Sequence, residues 1–182
     1  MLAVHCDVTG VDRDEAAVEI ARARVPGGRF DVAAMPPIPM EDASFECAVS
    51  FETLEHIDHD EQFVAELRRV VAPGGRVLVS SPNRAVTSPN DARPSNPYHV
   101  REYLLPELVS LLSDAGFDRI DVYFQRQERR RAPEYLAGAV IARVPRLCQP
   151  GRWWDRLGHG SSEVGRWSSE VTHPMYWVLE CQ

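Results

Sequence analysis

The stretch from Ser44 to Asn83, SFECAVSFETLEHIDHDEQFVAELRRVVAPGGRVLVSSPN, decides the fold. Its first part, Glu46 to Ser50, is a short apolar run of the buried-strand type. From Asp60 to Val71 the apolar residues Phe63, Val64, Leu67, Val70 and Val71 recur at steps of three and four, the one-face periodicity of an amphipathic helix. Ala72-Pro73-Gly74-Gly75 stops that helix, because proline cannot continue it and glycine accepts the left-handed turn that ends one. Arg76 to Ser81 is a second buried strand. Two strands joined by one helix over this distance lie parallel with a right-handed crossover. Ligands bind beyond the carboxyl ends of such strands, so Ser50, Phe51 and Glu52 are expected at the edge of a pocket.

Working outward, His5 to Asp12 and Arg29 to Ala33 read as further buried strands, with a helix from Glu15 to Arg24 between them. Gly27-Gly28 follows that helix and reads as its stop. Pro36, Pro37 and Pro39 make a stiff extended segment. Pro82 to Pro97 is rich in Pro, Asn and Ser and is predicted as a loop, longer than is usual without a function. Leu104 to Ala115 is an amphipathic helix ended by Gly116, and Phe117–Phe124 and His173–Cys181 read as the last two strands, with a helix marked by Pro133 to Ala142 between them.

Composition narrows the function classes. With 182 residues and 44% apolar content the chain is long enough for one domain with a real core. A net charge of −7 argues against nucleic acid as the main partner, since phosphate binding needs a basic surface. No apolar run of membrane-spanning length and no signal-peptide pattern is present, so a cytoplasmic protein is expected. Cys6, Cys47, Cys148 and Cys181 lack metal-site spacing and read as buried thiols. The basic residues are all arginine, a usage that suggests a high-GC bacterial genome.

Residues 66 to 83, ELRRVVAPGGRVLVSSPN, follow a SFETLEH segment, with Gly10-Val11-Asp12 upstream and NPYHVREY, Asn96 to Tyr103, downstream. In that order they resemble the class I S-adenosylmethionine-dependent methyltransferases, from about Val8 to Gly116. The resemblance implies an α/β fold over 1–182 as a single domain: a Rossmann-like sheet, mostly parallel, with an antiparallel edge pair. It also implies that the family's first strand and glycine-rich loop belong before Met1, between the strands ending at Asp12 and Ser50. The expectation is therefore a truncated chain or a gap closed by an unusual pairing.

The resemblance further implies methyl transfer from S-adenosylmethionine to a hydroxyl of a small-molecule acceptor such as a sugar or secondary metabolite, with neither nucleic acid nor membrane as partner. A non-catalytic or truncated methyltransferase-like module is the alternative. A nicotinamide oxidoreductase would share the ribose carboxylate but lacks support, since no phosphate loop follows a strand. Asp12, with Arg13 beside it, falls at the cofactor's ribose; the competing reading, a helix cap, is one that Asp14 can fill. Ala34 and Met35 fall at the adenine, where the family often has an Asp.

Glu52-Thr-Leu-Glu55-His56 resembles the metal cluster of ubiquinone-pathway O-methyltransferases, which would give Glu55 and His56 to Mg²⁺ or a softer ion. The competing reading is carboxylates at a helix N-terminus with His56 in the pocket wall. His99 is the candidate general base, or else a residue that orders its loop. His59, Asp58 and Asp60 read as solvated surface, and Arg101 as an ion-pair partner without chemistry. The insert of about 125–172 carries nine Arg against four acidic residues from 126 to 167, with Trp153, Trp154 and Trp167, and reads either as a substrate lid or as a variable surface segment.

Overall fold

A computed structural model of the protein describes residues 6–89, 93–127, 138–143, 162–166 and 176–182, and for 125–127, 138–143, 162–166 and 176–178 it describes the backbone alone. The central unit forms as its periodicity predicts. Strand β3 (Phe45–Phe51), helix α2 (Asp60–Val70) and strand β4 (Val71–Pro82) follow one another, and β3 and β4 pair in parallel. Phe45 is in register with Val71 and Cys47 with Arg76, so residues 72–75 leave the ladder as a bulge. Gly74 there has φ of 77°, a conformation that glycine adopts without strain.

Side chains alternate between the two faces of these strands. Ala48, Val77 and Val79 pack with Phe63, Val64, Leu67 and Val70 of α2 in the main core, whereas Cys47, Val49 and Leu78 form a smaller cluster on the other face. The four α2 residues are fully buried, which stabilises the unit by about 1.5–3 kcal/mol for each.

Strand β1 (Asp7–Asp12), helix α1 (Glu15–Arg24) and strand β2 (Arg29–Val32) form a second parallel unit. Asp14 caps α1, its side chain accepting from Ala16 N at 2.9 Å, so Asp12 is not the cap. The segment after β2 is fastened to α2 by Arg69, which donates to Met40 O (2.8 Å), Ile38 O (2.9 Å), Asp42 and Glu66. Glu66 in turn accepts from Ile38 N at 2.9 Å, and the Ile38 side chain enters the core.

Helix α3 (Arg84–Thr87) and helix α4 (Leu105–Asp114) come next; Leu108, Leu111 and Leu112 bring α4 onto the main core, and Gly116 ends it at φ 90°. The remaining strands are β5 (Ile120–Gln127), β6 (Gly138–Arg143), β7 (Ser162–Arg166) and β8 (Tyr176–Cys181). The eight strands make one mixed sheet in the order β2-β1-β6-β3-β4-β8-β5-β7. The parallel pairs are β1 with β2 and β3 with β4, and β6, β8, β5 and β7 pair antiparallel to their neighbours.

The place between β1 and β3 is closed by β6. Val11 and Ser50 are both in register with Ala139, and Phe51 with Gly138. The facing edges of β1 and β3 carry rows of backbone N–H and C=O groups that need partners, and one strand's width is what they leave. Residues 138–142, predicted as the second half of a helix, are therefore strand; 133–137 lie outside the described residues. Since β6 is antiparallel to both neighbours, β1 and β3 run parallel.

Three other expectations change. Asn83 caps a helical turn, accepting from Ala85 N at 3.1 Å, so the 82–97 stretch is not all loop. β5 and β8 pair antiparallel as expected, yet the edge strand is β7, supplied by the insert. Residues 117–119 precede β5, with Phe117 in the core instead. Trp153, Trp154 and Trp167, and with them the proposed lid, lie outside the described residues. Cys47 and Cys181 are buried thiols and Cys6 is half-buried; Cys148 also lies outside.

Candidate active site

Asp12, Ala34, Ser50, Phe51, Glu52, Ser80 and Ser81 all fall at or just past the carboxyl ends of β1 to β4, on one edge of the sheet. Asp12 is half-buried; one carboxylate oxygen accepts from Asp14 N at 2.9 Å, and the other has no partner among the described residues. Arg13 and Ala34 are exposed, and Met35 packs partly against the core. Ser50 Oγ is buried without a hydrogen-bond partner among the described residues, an orphan at the end of the central strand. Between the ends of β1 and β3 lies the start of β6, with Ala139 in register with Ser50 and Gly138 with Phe51.

These features fit an adenosyl cofactor. A carboxylate with an unshared oxygen suits ribose hydroxyls, and an orphan hydroxyl awaits a polar partner.

The second group of residues begins at Glu52. This residue has φ of 49°, an unusual conformation for a side chain of its size, held by reciprocal bonds with Ser80: its N–H donates to Ser80 Oγ at 3.0 Å, and Ser80 Oγ donates to Glu52 Oε1 at 2.7 Å. The turn brings the chain into a 3₁₀ segment, Leu54–His56, that places Glu55 fully inside the protein. Burial pushes the Glu52 carboxyl up to about 7 against the Ser80 bond. Burial and the nearby Glu52 charge push Glu55 up to about 8. Ser81 Oγ reaches Glu55 Oε2 at 3.5 Å, and Glu55 Oε1 has no partner among the described residues.

A loop from Arg93 to Leu104 closes over this turn. Its backbone is tied down by Val100 N donating to Glu55 O at 2.7 Å, and its side chains converge on the same spot. His56 Nδ1 lies 2.8 Å from Tyr98 O; a carbonyl only accepts, so Nδ1 carries the proton. His99 Nδ1 lies 2.7 Å from Glu102 Oε1 and its Nε2 lies 2.9 Å from Asn96 Nδ2. Tyr98 N donates to Asn96 Oδ1 at 3.0 Å, which fixes the amide with its NH₂ toward His99. His99 therefore donates from Nδ1 to Glu102 and presents the Nε2 lone pair to a donor. The two imidazole rings meet edge to face, centroids 4.9 Å apart.

Glu102 is almost completely buried and accepts from Thr87 Oγ1 (2.5 Å) and Ser88 Oγ (2.7 Å) as well as from His99. Burial pushes its carboxyl up, but the bonds from Thr87, Ser88 and His99 together outweigh burial and hold it below the usual range. It is the carboxylate partner of the histidine, so Arg101 pairs elsewhere: its guanidinium donates to Asp60 at 2.9 Å, and Tyr103 OH donates to the same oxygen at 2.8 Å. Asp60 is thus an anchor of the loop and not the solvated residue that its neighbours suggested.

Sequence reasoning named Glu52, Glu55, His56 and His99 and missed Glu102, Asn96, Thr87, Ser88 and Ser80. A signal existed for two of these, since Asn96 and Glu102 stand three residues before and after His99. The donor set around Glu55, two imidazoles and one carboxylate, does not suit Mg²⁺, which requires oxygen ligands.

Comparison with known proteins gives the same direction. Residues 1–79 match the family described as "Methyltransferase domain". The chain is 44% identical over 153 residues to a probable S-adenosylmethionine-dependent methyltransferase of Mycolicibacterium smegmatis, covering 82% of this chain and 60% of that one. It is 31% identical over 132 residues to an O-methyltransferase of Penicillium expansum, covering 68% of this chain and 48% of that one. It thus spans between about half and three fifths of these relatives. A crystal structure of a methyltransferase from Thermotoga maritima, described as a possible histamine N-methyltransferase, superimposes with a TM-score of 0.66 at 20% identity, covering 95% of this chain and 71% of that one. That likeness concerns the fold. Among the described residues no helix is long and apolar enough to cross a membrane.

Proposed function

Because this chain belongs to the S-adenosylmethionine-dependent methyltransferase family, we propose that it serves methyl transfer to a hydroxyl of a small-molecule acceptor, with His99 as general base. The observation that carries the choice of a hydroxyl is the His99–Glu102 pair. Transfer to an alcohol needs a proton removed, whereas an acceptor that already has a lone pair needs only alignment.

When bound, S-adenosylmethionine supplies a methyl group activated by a sulfonium. The chain's own residues do the rest. Asp12 accepts from ribose hydroxyls, and Ala34 with Met35 borders the adenine. Ser50, Phe51 and Glu52 edge the pocket. Glu102 fixes the imidazole with its proton on Nδ1, so that Nε2 is the atom that takes the hydroxyl proton. In the resting protein that lone pair is occupied by Asn96 Nδ2, a donor standing where the acceptor's O–H must stand; the amide gives way when the acceptor enters. The pair resembles a nucleophile-activating dyad in its logic: a buried carboxylate holds the base, and the base faces the reacting oxygen.

The test is His99→Ala. Transfer is expected to slow by about two to four orders of magnitude, with S-adenosylhomocysteine affinity close to that of the unaltered chain. Unchanged turnover would sink the assignment.

A further inference from the structure

We propose that Asn96 is a positioning residue for the base: its amide, aimed at His99 Nε2, keeps that nitrogen unprotonated until the acceptor's hydroxyl takes its place. The need for such a residue follows from Glu102. A carboxylate held against an imidazole favours the doubly protonated ring, because the imidazolium is then stabilised by the opposite charge. An imidazolium carries a proton on both nitrogens and has no lone pair, so it cannot act as a base.

The charges around His99 do not oppose that second proton. On its own loop, Glu102 Oε1 lies 2.7 Å from Nδ1; burial raises this carboxyl, but the bonds from Thr87, Ser88 and His99 outweigh burial and keep it ionised. From the turn after β3, a Glu55 oxygen lies within 4.8 Å of a His99 ring nitrogen. Burial and the Glu52 charge push the Glu55 carboxyl up to about 8, so near neutral pH it is largely uncharged. The His56 ring meets His99 edge to face and has its Nδ1 proton on the Tyr98 carbonyl. Arg101, the cation on the same loop, is paired with Asp60.

What opposes the second proton is one amide. Asn96 Nδ2 lies 2.9 Å from His99 Nε2, and an NH₂ group only donates, so a proton on Nε2 would set two donors face to face. The amide is not free to turn its oxygen to the ring instead. Its Oδ1 accepts from Tyr98 N at 3.0 Å, and His99 N donates to Asn96 O at 3.1 Å, so one short turn fixes both residues. Turning the amide would break the Tyr98 bond and point Nδ2 at that N–H. Glu102 and Asn96 thus define the ring from its two ends, with the proton on Nδ1 and the lone pair on Nε2. The same arrangement selects what enters, because only a donating group can replace Nδ2. A neutral O–H fits there, whereas an ether or carboxylate oxygen does not. Use of the nitrogen as a base rests on the methyl-transfer reading; the protonation state of the ring does not.

The experiment reads the ring nitrogens directly. The chain is labelled with nitrogen-15 histidine and its imidazole signals are recorded by NMR near neutral pH, with His99→Gln to assign those of His99. Asn96→Asp and Asn96→Ala are compared with it, each shown to be folded by circular dichroism. Asp keeps an oxygen for Tyr98 N but sets an acceptor against Nε2, and Ala removes both contacts. The expected result is one protonated and one bare nitrogen on His99 in the unaltered chain, both protonated in Asn96→Asp, and a mixture in Asn96→Ala. In methyl-transfer assays kcat should fall about 10- to 100-fold in Asn96→Asp and less in Asn96→Ala. A residue that merely orders its turn gives the opposite order, since Asp preserves the turn and Ala does not. A bare Nε2 in Asn96→Asp, or a doubly protonated His99 in the unaltered chain, would overturn the assignment. Identical His99 spectra in the unaltered chain and Asn96→Ala would overturn it as well. The His99→Ala turnover test fails separately: unchanged turnover there ends the base reading and leaves these spectra as expected.

Discussion

Glu102→Gln separates the carboxylate's two tasks, holding the loop and setting the histidine. Oε2 of Glu102 takes both hydroxyls, from Thr87 and Ser88, and Oε1 takes the His99 N–H. An amide has one accepting end. If its oxygen faces His99, the NH₂ group meets two hydroxyls that must turn away. If its oxygen faces the hydroxyls, the NH₂ group forces the His99 proton from Nδ1 to Nε2, where Asn96 already donates. Hydrogen bonds to a charged acceptor are worth about 1.5–3 kcal/mol and neutral ones about 0.5–1.5, so weakening three bonds costs about 3 kcal/mol. For a domain of this size that lowers Tm by about 6–12 °C. Turnover should fall about ten- to a hundredfold, part of the factor that a general base supplies, while S-adenosylhomocysteine affinity holds. Thermal unfolding followed by circular dichroism, with kcat and KM measured separately, reads these effects. A variant with unchanged Tm and kcat would refute the reasoning, since three bonds to a buried carboxylate cannot be removed silently if they exist.

Leu67 is fully buried between α2 and the sheet, and Leu67→Ala should destabilise the fold by about 2–5 kcal/mol in urea titration. Glu66 gives a pH dependence: the Arg69 bond, with the Ile38 N–H, holds its carboxyl below the ordinary value of 4.5. A group depressed in the folded state contributes stability above its unfolded pKa and loses it as pH falls through the folded one. The unaltered chain should therefore lose more Tm than Glu66→Gln on going from pH near 5 to below 4, and parallel losses would contradict the assignment.

The parts of the fold that were legible in the sequence are those fixed by local pattern. The step of three and four in α2, the stop at Pro73-Gly74-Gly75 and the apolar runs of β3 and β4 each carry their own instruction. β6 does not. Its residues, Gly138 to Arg143, form an apolar run that suits a helix or a buried strand equally, and what decides is the pair of open edges on β1 and β3, distant in sequence. The same holds in the site. Glu55 and His56 were readable as a candidate cluster and His99 as a candidate base. That they meet depends on a loop folding back over a strained turn at Glu52, which residue types do not announce. Arg101 was readable as an ion-pair partner, but that its partner is Asp60 and that Glu102 faces His99 depends on the turn of the loop.

The measurement that tests the account most directly is a calorimetric titration of S-adenosylhomocysteine into this chain, with Asp12→Ala beside it. The Asp12 side chain bonds only to Asp14 N among the described residues, so the substitution leaves the fold intact. Saturable binding that Asp12→Ala reduces by about tenfold or more, as losing a hydrogen-bonded carboxylate should, is the predicted result. A folded chain that fails to bind, or one that binds equally well without Asp12, would contradict the cofactor site described above.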